Sequence, residues 1–142
     1  MIKIYTDGSC IGNPGAGGWA AVILNEKNKK LISGNEYNVT NNQMELLATI
    51  KALNSFKNKE SIIIFTDSKY VKNGITKWIK NWQKNNWKTA KKSSVKNQDL
   101  WKRLDQLVKF HTVKWEWIKA HSTNSYNNLA DELAKNAAKK IN

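Results

Sequence analysis

The sequence predicts an α/β domain with a five-stranded mixed sheet flanked by helices. The first three predicted strands follow one another with only a loop or turn between them, which is typical of an antiparallel meander. Each of the two later strands instead follows a helix, and such a crossover brings a strand back parallel to the first. With 142 residues, no internal repeat and no linker, the chain is expected to form one domain over 1–142.

The first strand is predicted at the start of the chain. Residues 2–6 alternate in the period-2 pattern of a strand. Asp7 and Gly8 then form a turn signal, so the strand is expected to end there. Residues 9–18 contain four of the seven glycines and the only proline, which predicts a loop.

The second and third strands are predicted over 19–24 and 31–39, with the turn between them at 25–28. Thr40 and the two asparagines after it are N-cap residues, and a helix is predicted to follow over 43–56. This helix completes a crossover to the fourth strand.

The second half of the chain begins with an apolar strand over 62–66, after which Ser68 is predicted to cap a short helix. Residues 76–97 then combine tryptophan, lysine and asparagine with few aliphatic side chains. Apolar periodicity resumes in a helix over 99–110, a strand over 112–118 and a last helix from about position 127.

Charge and composition restrict the class of partner. The net charge is +13 and the pI is near 9.8, which favours a polyanion. Cys10 is the only cysteine, so no disulfide forms within the chain and a reducing compartment is favoured. The chain starts without a signal peptide pattern and has no apolar run near the roughly 20 residues of a membrane span. We therefore expect a soluble, cytoplasmic monomer with no membrane partner.

Two of the 11 acidic residues directly follow predicted strands. Asp7 and Asp67 are each preceded by an aromatic residue and a threonine. If the two strands are parallel neighbours, both carboxylates lie at the carboxyl edge of the sheet, where open α/β sheets bind their ligands. Either residue alone is also consistent with an ordinary strand end.

Two further acids lie early in predicted helices. Glu45 shares a helix face with the small residues Ala48 and Ala52, which would let the helix approach the sheet near the same strand ends. Asp131 lies beside the apolar stripe of the last helix. Either acid could instead be a charge that favours a helix N-terminus, and for Asp131 alone that is the better explanation.

Together, the four carboxylates predict a cation site. Two unit charges about 4 Å apart repel by roughly 4 kcal/mol at an effective dielectric constant near 20, so a converging cluster must be protonated or hold a cation. Oxygen-only ligands with open water positions suit Mg²⁺ or Mn²⁺. Two such ions can activate a water and stabilise the leaving oxygen of a phosphoryl displacement. An acidic metal site in a basic protein suggests nuclease chemistry.

Five motifs follow one another along the whole chain: IYTDGSCIGNPGAGGW, TNNQMEL, FTDSKYV, the tryptophan- and lysine-rich segment and HSTNSYNNLADELA. They resemble the motifs of bacterial type 1 ribonuclease H. The resemblance implies the ribonuclease H fold and hydrolysis of the RNA strand of RNA–DNA hybrids by two Mg²⁺ or Mn²⁺ ions, leaving 5′-phosphate and 3′-hydroxyl ends. It also implies that Asp7, Glu45, Asp67 and Asp131 bind the metal and act in catalysis with His121.

The sequence departs from the family pattern around His121. The resemblance gives this residue a role in proton transfer or product release, whereas a lone loop histidine is more often simply solvated. His111, which has no motif around it, keeps that second interpretation. Ala120 and Thr123 stand where the family commonly has glycine, and Asn128 stands where it has glutamate. We expect activity to survive these differences, which bear on loop motion and on the support of the metal site.

A nucleic-acid interface is the last implication of the resemblance. Tryptophans at helical spacing are more often core than ligand platform, so at least one in 76–97 is expected to pack inward. Basic groups with aromatic platforms also suit a nucleic-acid backbone, and the resemblance makes this segment a basic protrusion that grips the DNA strand. The expected substrate-binding residues are Trp78, Asn81, Trp82, Lys84 and Lys88 in the protrusion, Thr40 and Asn97 at a DNA phosphate, and Cys10, Asn13, Asn41 and Asn42 along the RNA strand, where the 2′-hydroxyl distinguishes RNA from DNA.

Three other functions fit parts of the sequence. A junction resolvase on the same fold would not need the complete set of motifs or the protrusion. A catalytically silent nucleic-acid-binding module would be favoured by loss of a metal-binding acid, and none is lost. A metal-free glycosidase with a carboxylate pair would have no use for the basic protrusion.

Overall fold

The protein is described here by a computed structural model of residues 1–89, 95–119 and 124–142. Within these residues the sheet has five strands in the order β3-β2-β1-β4-β5. The first three strands pair antiparallel, whereas β4 pairs parallel with β1 and β5 pairs parallel with β4. The predicted mixed sheet is confirmed. The strands are β1 (Ile2–Ile11), β2 (Gly15–Asn25), β3 (Asn28–Val39), β4 (Ser61–Thr66) and β5 (Thr112–Trp117).

Two helix starts form where the sequence predicts them. Thr40 accepts the N–H of Gln43 at 3.2 Å, and Ser68 accepts the N–H of Val71 at 3.1 Å. Such bonds satisfy backbone donors that have no partner inside the helix. The helices are α1 (Asn41–Asn54), α2 (Lys69–Asn73), α3 (Ile79–Lys84), α4 (Gln98–Phe110) and α5 (Ser125–Lys139), with a π-helical turn at Gly74–Trp78 between α2 and α3.

The predicted loop over 9–18 is wrong. Strand β1 continues through Asp7 and Gly8 to Ile11, and β2 begins at Gly15, so only 12–14 connect them. Glycine weakens an isolated strand because it has no side chain to pack. Here the lost propensity is offset by backbone pairing along the whole extension and by the close packing of helices against these glycines.

The two longest helices, α1 and α5, pack closely against β1 and β2, which carry glycine at the contacts. A Cβ atom on Gly8 would lie 2.5 Å from the backbone of Met44 in α1. A Cβ atom on Gly18 would lie only 2.0 Å from the carbonyl oxygen of Ala134 in α5. Small residues at close helix contacts let backbones approach, and this approach brings α1 and α5 to the central strands.

The main core lies between the sheet and the layer of α1 and α4. Ile4, Ile62 and Ile64 project from the sheet onto Leu46 of α1, and Trp101 of α4 is completely buried. In the described ranges, no helix combines the length and the apolar character needed to cross a membrane.

Candidate active site

The carboxyl ends of β1 and β4 bring two acids together. The parallel register pairs Tyr5 with Phe65. Asp7 and Asp67 each follow two residues later, so they lie on the same face at the same sheet edge. The predicted convergence of these acids is found in the structure, where their carboxylate oxygens belong to one cluster.

Glu45 reaches this cluster from α1. The Thr40 cap fixes where α1 begins, and the bare Gly8 backbone lets the first turns of the helix lie against β1. Glu45 is only 6% exposed. A carboxylate oxygen of each of Asp7, Glu45 and Asp67 lies within 4.8 Å of the others. The structure thus brings together three of the four predicted metal-binding acids in one compact group.

Asp131 contributes from the rim of the site. It lies in α5, its side chain is 41% exposed, and it pairs with Lys135 at 3.0 Å. It is not part of the 4.8 Å group found among the described residues. Its hydrogen bond and its charge both act on Asp7 and raise the pKa of that carboxyl. Asp131 is therefore adjacent to the cluster and more accessible than the other three acids.

The cluster holds its acids in an unfavourable environment. Burial raises the pKa of Asp7 to about 7, and the charges of Asp67 and Asp131 add to the effect. Burial and the neighbouring Asp7 raise the pKa of Glu45 well above its usual range. These shifts have the physical cause expected for carboxylates that share a dry site, where the charged form loses its hydration and repels its neighbours.

A divalent cation fits this donor set. The Oε2 atom of Glu45 is buried and has no hydrogen-bond partner among the described residues. Buried polar atoms are normally satisfied, and a carboxylate oxygen without a hydrogen-bond partner beside two other carboxylates is suited to bind a cation. The ligand atoms are all oxygen, which suits Mg²⁺ or Mn²⁺.

The tryptophans of the protrusion are half-buried. Trp78 and Trp82 lie with ring centroids 5.8 Å apart, Trp82 and Trp87 lie 6.1 Å apart, and the rings pack on the buried Trp101. The expected inward packing is confirmed. The outer edges of this cluster form a groove of about 260 Å³ that includes Trp78, Asn81, Trp82 and Lys88 in its lining. Lys84 is exposed nearby on α3.

The residues expected at the RNA strand surround the turn after β1. Asn13 accepts the backbone N–H of Asn41 through its side-chain oxygen at 3.0 Å. The Cys10 thiol lies 3.0 Å from the carbonyl oxygen of Val39. Asn42 is exposed at the start of α1. The Asn13 bond joins the β1–β2 turn to the start of α1, whereas the Cys10 thiol contacts the end of β3.

Thr40 and Asn97, expected at a DNA phosphate, line one cavity of about 320 Å³ with Asn13, Asn42, Tyr70 and Lys96. Tyr70 and Gln43, which both bond to Asn97, were not predicted from the sequence. Glutamine three residues after a threonine cap is the signature of a capping box, and this signal could have identified Gln43.

His121 lies outside the described residues, as do its neighbours Ala120 and Thr123. Asn128, the remaining departure from the family pattern, is exposed on α5.

A basic cavity beside Asp67 was also not predicted from the sequence. Its volume is about 510 Å³, and Lys69, Lys72 and Lys119 are among the lining residues. Two of these lysines closely follow the TDS motif, which was the available signal.

His111 is the histidine for which the prediction was wrong. It is 5% exposed rather than solvated. Its Nδ1 atom accepts the N–H of Glu60 at 3.1 Å, and its Nε2 atom lies 3.1 Å from the carbonyl oxygen of Leu53. The ring thus joins α1 to the segment before β4, because it can satisfy two buried backbone groups at once.

The sequence matches known proteins along nearly its whole length. A family model described as RNase H matches residues 1–139. A curated ribonuclease H from Wolbachia sp. subsp. Drosophila simulans (strain wRi) is 54% identical over 136 residues, which cover 96% of this chain and 94% of the relative.

Solved structures show the same fold. LC9-RNase H1 superimposes with a TM-score of 0.87 at 27% identity, covering 99% of this chain and 73% of that chain. LC11-RNase H1, solved in complex with an RNA/DNA hybrid, gives a TM-score of 0.73 at 22% identity and 99% coverage of both chains. The resemblance to ribonuclease H found in the sequence, and the ribonuclease H fold that it implies, are confirmed. The chain therefore belongs to the ribonuclease H family of metal-dependent nucleases.

Proposed function

We propose that the chain is a single catalytic domain that hydrolyses the RNA strand of RNA–DNA hybrids with two divalent ions, Mg²⁺ or Mn²⁺, and leaves 5′-phosphate and 3′-hydroxyl ends. The observation that carries this proposal is the group of three carboxylates with an unsatisfied buried oxygen on Glu45. Substrate choice is supported by family membership and by LC11-RNase H1, whose structure contains an RNA/DNA hybrid.

Asp7, Glu45, Asp67 and Asp131 would hold the ions. When bound, the ions supply an activated water and positive charge at the leaving oxygen. The chain's own contribution is to keep the ligand oxygens fixed and dry. Asp7 and Glu45 are buried on β1 and α1, whereas Asp131 is half-exposed and tied to Lys135. The inner ligands are therefore more shielded from water than Asp131 is.

The substrate would lie across this site with its DNA strand toward the protrusion. The groove of Trp78, Asn81, Trp82 and Lys88 offers aromatic faces and a positive charge, which suit a sugar–phosphate backbone. Cys10, Asn13, Asn41 and Asn42 surround the turn after β1 and would contact the RNA strand. Hydrogen bonds to the 2′-hydroxyl would then select RNA at the scissile position.

The proposed function predicts a clear substrate order. A labelled RNA–DNA hybrid should be cut when Mg²⁺ is present and left intact with chelator. Double-stranded RNA of the same sequence should be cut poorly, because it has no DNA strand for the protrusion to bind. Double-stranded DNA should not be cut at all, because it has no RNA strand at the scissile position. Gel analysis of the products, with a ligation assay for the 5′-phosphate, measures rate and end chemistry together. Equal rates on hybrid and double-stranded RNA would contradict the proposed grip on the DNA strand.

The protrusion lysines should affect binding more than chemistry. Replacing Lys84 and Lys88 with alanine should raise KM and lower the dependence of log KM on log[salt] by up to about 0.9 for each phosphate that is no longer neutralised. The value of kcat should change little, since these groups would bind substrate and transition state equally. Steady-state kinetics across a salt series measures both effects.

The matched control replaces Lys29 and Lys30, which are exposed at the start of β3, remote from Asp7. This double variant should keep the wild-type salt slope. If both double variants behave alike, the effect of Lys84 and Lys88 is one of total charge and the protrusion is not the binding surface.

A further inference from the structure

The cavity that Thr40 and Asn97 line is bordered by a chain of hydrogen bonds with a fixed direction. It begins at the backbone N–H of Thr40, which donates to Oε1 of Gln43 at 2.9 Å. A backbone N–H can only donate, so the oxygen of the Gln43 amide must face Thr40. The nitrogen of that amide therefore faces away from Thr40, and it donates to Oδ1 of Asn97 at 3.1 Å.

The same logic fixes the orientation of Asn97. Because its oxygen accepts from Gln43, its Nδ2 atom lies on the other side, where it donates to the Tyr70 hydroxyl at 3.1 Å. An amide nitrogen carries two protons, and one remains after this bond. Asn97 itself has a left-handed backbone (φ 59°, ψ 31°) and its side chain does not cap α4, although asparagine at this position usually does so.

Tyr70 ends the chain of bonds. Its hydroxyl oxygen accepts from Asn97 and also from Nε1 of Trp101, again at 3.1 Å. Both lone pairs of the oxygen are thereby occupied, so the hydroxyl proton has to point elsewhere. Among the described residues, the Tyr70 hydroxyl takes part in these two bonds only as the acceptor. Tyr70 is also one of the residues that line the cavity.

Three of the residues that line the cavity therefore carry hydrogen-bond donors. Asn97 offers an N–H, Tyr70 offers an O–H, and Lys96 adds an ammonium group at the same lining. Charge-assisted hydrogen bonds from such donors are the strong ones, and a phosphodiester is an acceptor-only anion. If the amide of Asn97 were reversed, an acceptor oxygen would replace the Nδ2 donor, and an oxygen cannot donate to an anion.

We propose that Gln43 and Tyr70 are positioning and binding residues, respectively, for a backbone phosphate of the hybrid. Gln43 sets the orientation of the Asn97 amide, and Tyr70 both holds that amide and donates its own proton to the phosphate. This inference rests on the proposed function, since the phosphate is that of the DNA strand. Gln43 lies two residues before Glu45 on α1, so the same helix start places a phosphate contact and a metal ligand.

A purely structural role is the competing explanation, because the network also joins α1, α2 and α4. The two roles differ in what they change. A structural role lowers thermal stability and affects kcat and KM together. A positioning role raises KM with kcat nearly unchanged, since phosphate contacts remote from the scissile bond hold ground state and transition state alike. Neither Gln43 nor Tyr70 is charged, so the salt slope should also stay at its wild-type value.

The test compares Gln43→Met, Tyr70→Phe and Asn97→Ala in steady-state cleavage of one RNA–DNA hybrid. We expect KM to rise about 10-fold in Tyr70→Phe, which loses a bond to a charged group, and about 5-fold in Gln43→Met. Gln43→Met in the Asn97→Ala background should cause no further rise, because Gln43 acts through Asn97. An additive effect in the double variant, or an unchanged KM in both single variants, overturns the inference.

Two further measurements separate the outcomes. Gln43→Glu keeps an oxygen for the Thr40 N–H and so keeps the capping box. Its carboxylate cannot donate to Asn97. This variant should therefore retain the wild-type melting temperature and still show a raised KM at high salt. Hybrids with one neutral methylphosphonate at successive DNA linkages should show one position that weakens binding to the wild type more than binding to Asn97→Ala, which keeps Tyr70 and Lys96 at the cavity. Absence of such a position overturns the phosphate assignment. If the wild type fails to cut the hybrid, the proposed function itself fails.

Discussion

Asp7→Asn is expected to abolish hydrolysis of the hybrid and, in the absence of metal, to stabilise the fold. The loss of activity follows because Asp7 lies at the centre of the cluster, with Glu45, Asp67 and Asp131 all acting on its carboxyl. The gain in stability follows because the wild-type carboxyl is buried in an environment that opposes its charge. Its pKa of about 7 lies well above the ordinary value near 4.

The sign of the pH dependence follows from that shift. Between about pH 4 and pH 7 the folded protein holds a proton on Asp7 that the unfolded chain has released, so metal-free stability falls as pH rises. The difference between the two pKa values corresponds to about 4 kcal/mol, which is the upper limit of what Asp7→Asn can restore. The advantage of the variant should therefore be largest above pH 7 and should disappear below about pH 4.

Thermal unfolding in chelator across this pH range measures the effect, and repeating it with Mg²⁺ tests the link to metal. Wild-type protein should gain stability from Mg²⁺, whereas Asp7→Asn should gain little, because a ligand stabilises only the state that binds it. The control Glu132→Gln changes an exposed acid on α5 next to Asp131 and should match the wild type. Residual cleavage by Asp7→Asn, or lower metal-free stability at pH 8, would contradict the cluster.

His121→Ala should lower kcat by about 10²–10⁴-fold, the usual contribution of a positioned proton transfer. The described flanks support this expectation. Ile118 donates its N–H to the carbonyl oxygen of Thr66 at 3.0 Å, immediately before Asp67. On the other side, Asn124 caps α5 and lies 3.4 Å from the Tyr5 hydroxyl, two residues before Asp7.

His121 is three positions along the sequence from Ile118 and three from Asn124. Unlike the acids, His121 would not hold metal, so the alanine variant should keep slow, Mg²⁺-dependent cleavage and the same metal-induced stabilisation.

Single-turnover and steady-state kinetics on one hybrid, with Ser122→Ala as the neighbouring control, measure whether His121 affects chemistry or product release. An equal loss in both experiments assigns the residue to the chemical step, and a loss confined to steady state assigns it to release. Wild-type rates in both would leave His121 as a solvated loop residue.

The sequence was sufficient for features that depend on local pattern. Alternation predicted the strands, and the Thr40 and Ser68 caps marked the starts of α1 and α2. The paired aromatic–threonine–aspartate strand ends placed Asp7 and Asp67 at one edge, because parallel strands share the direction of their carboxyl ends. These signals are local or follow from simple topology, so a single chain is enough to read them.

Features that depend on contacts between residues far apart in the chain were determined only by the tertiary structure. Residues 9–18 look like a loop because glycine has low strand propensity, yet the extended pairing and the helices packed on Gly8 and Gly18 make most of them strand. Asp131 resembles the other acids in sequence, but the packing of α5 leaves it at the rim with Lys135.

The direction of the hydrogen bonds beside the cavity lined by Thr40 and Asn97 is the clearest feature that only the tertiary structure determines. It depends on Gln43, Tyr70, Asn97 and Trp101, which lie on separate parts of the fold up to 58 positions apart in the chain, from 43 to 101. No periodicity or motif relates these positions. Their side chains meet only because α1, α2 and α4 pack together, and the direction of each bond is then set by which groups can donate.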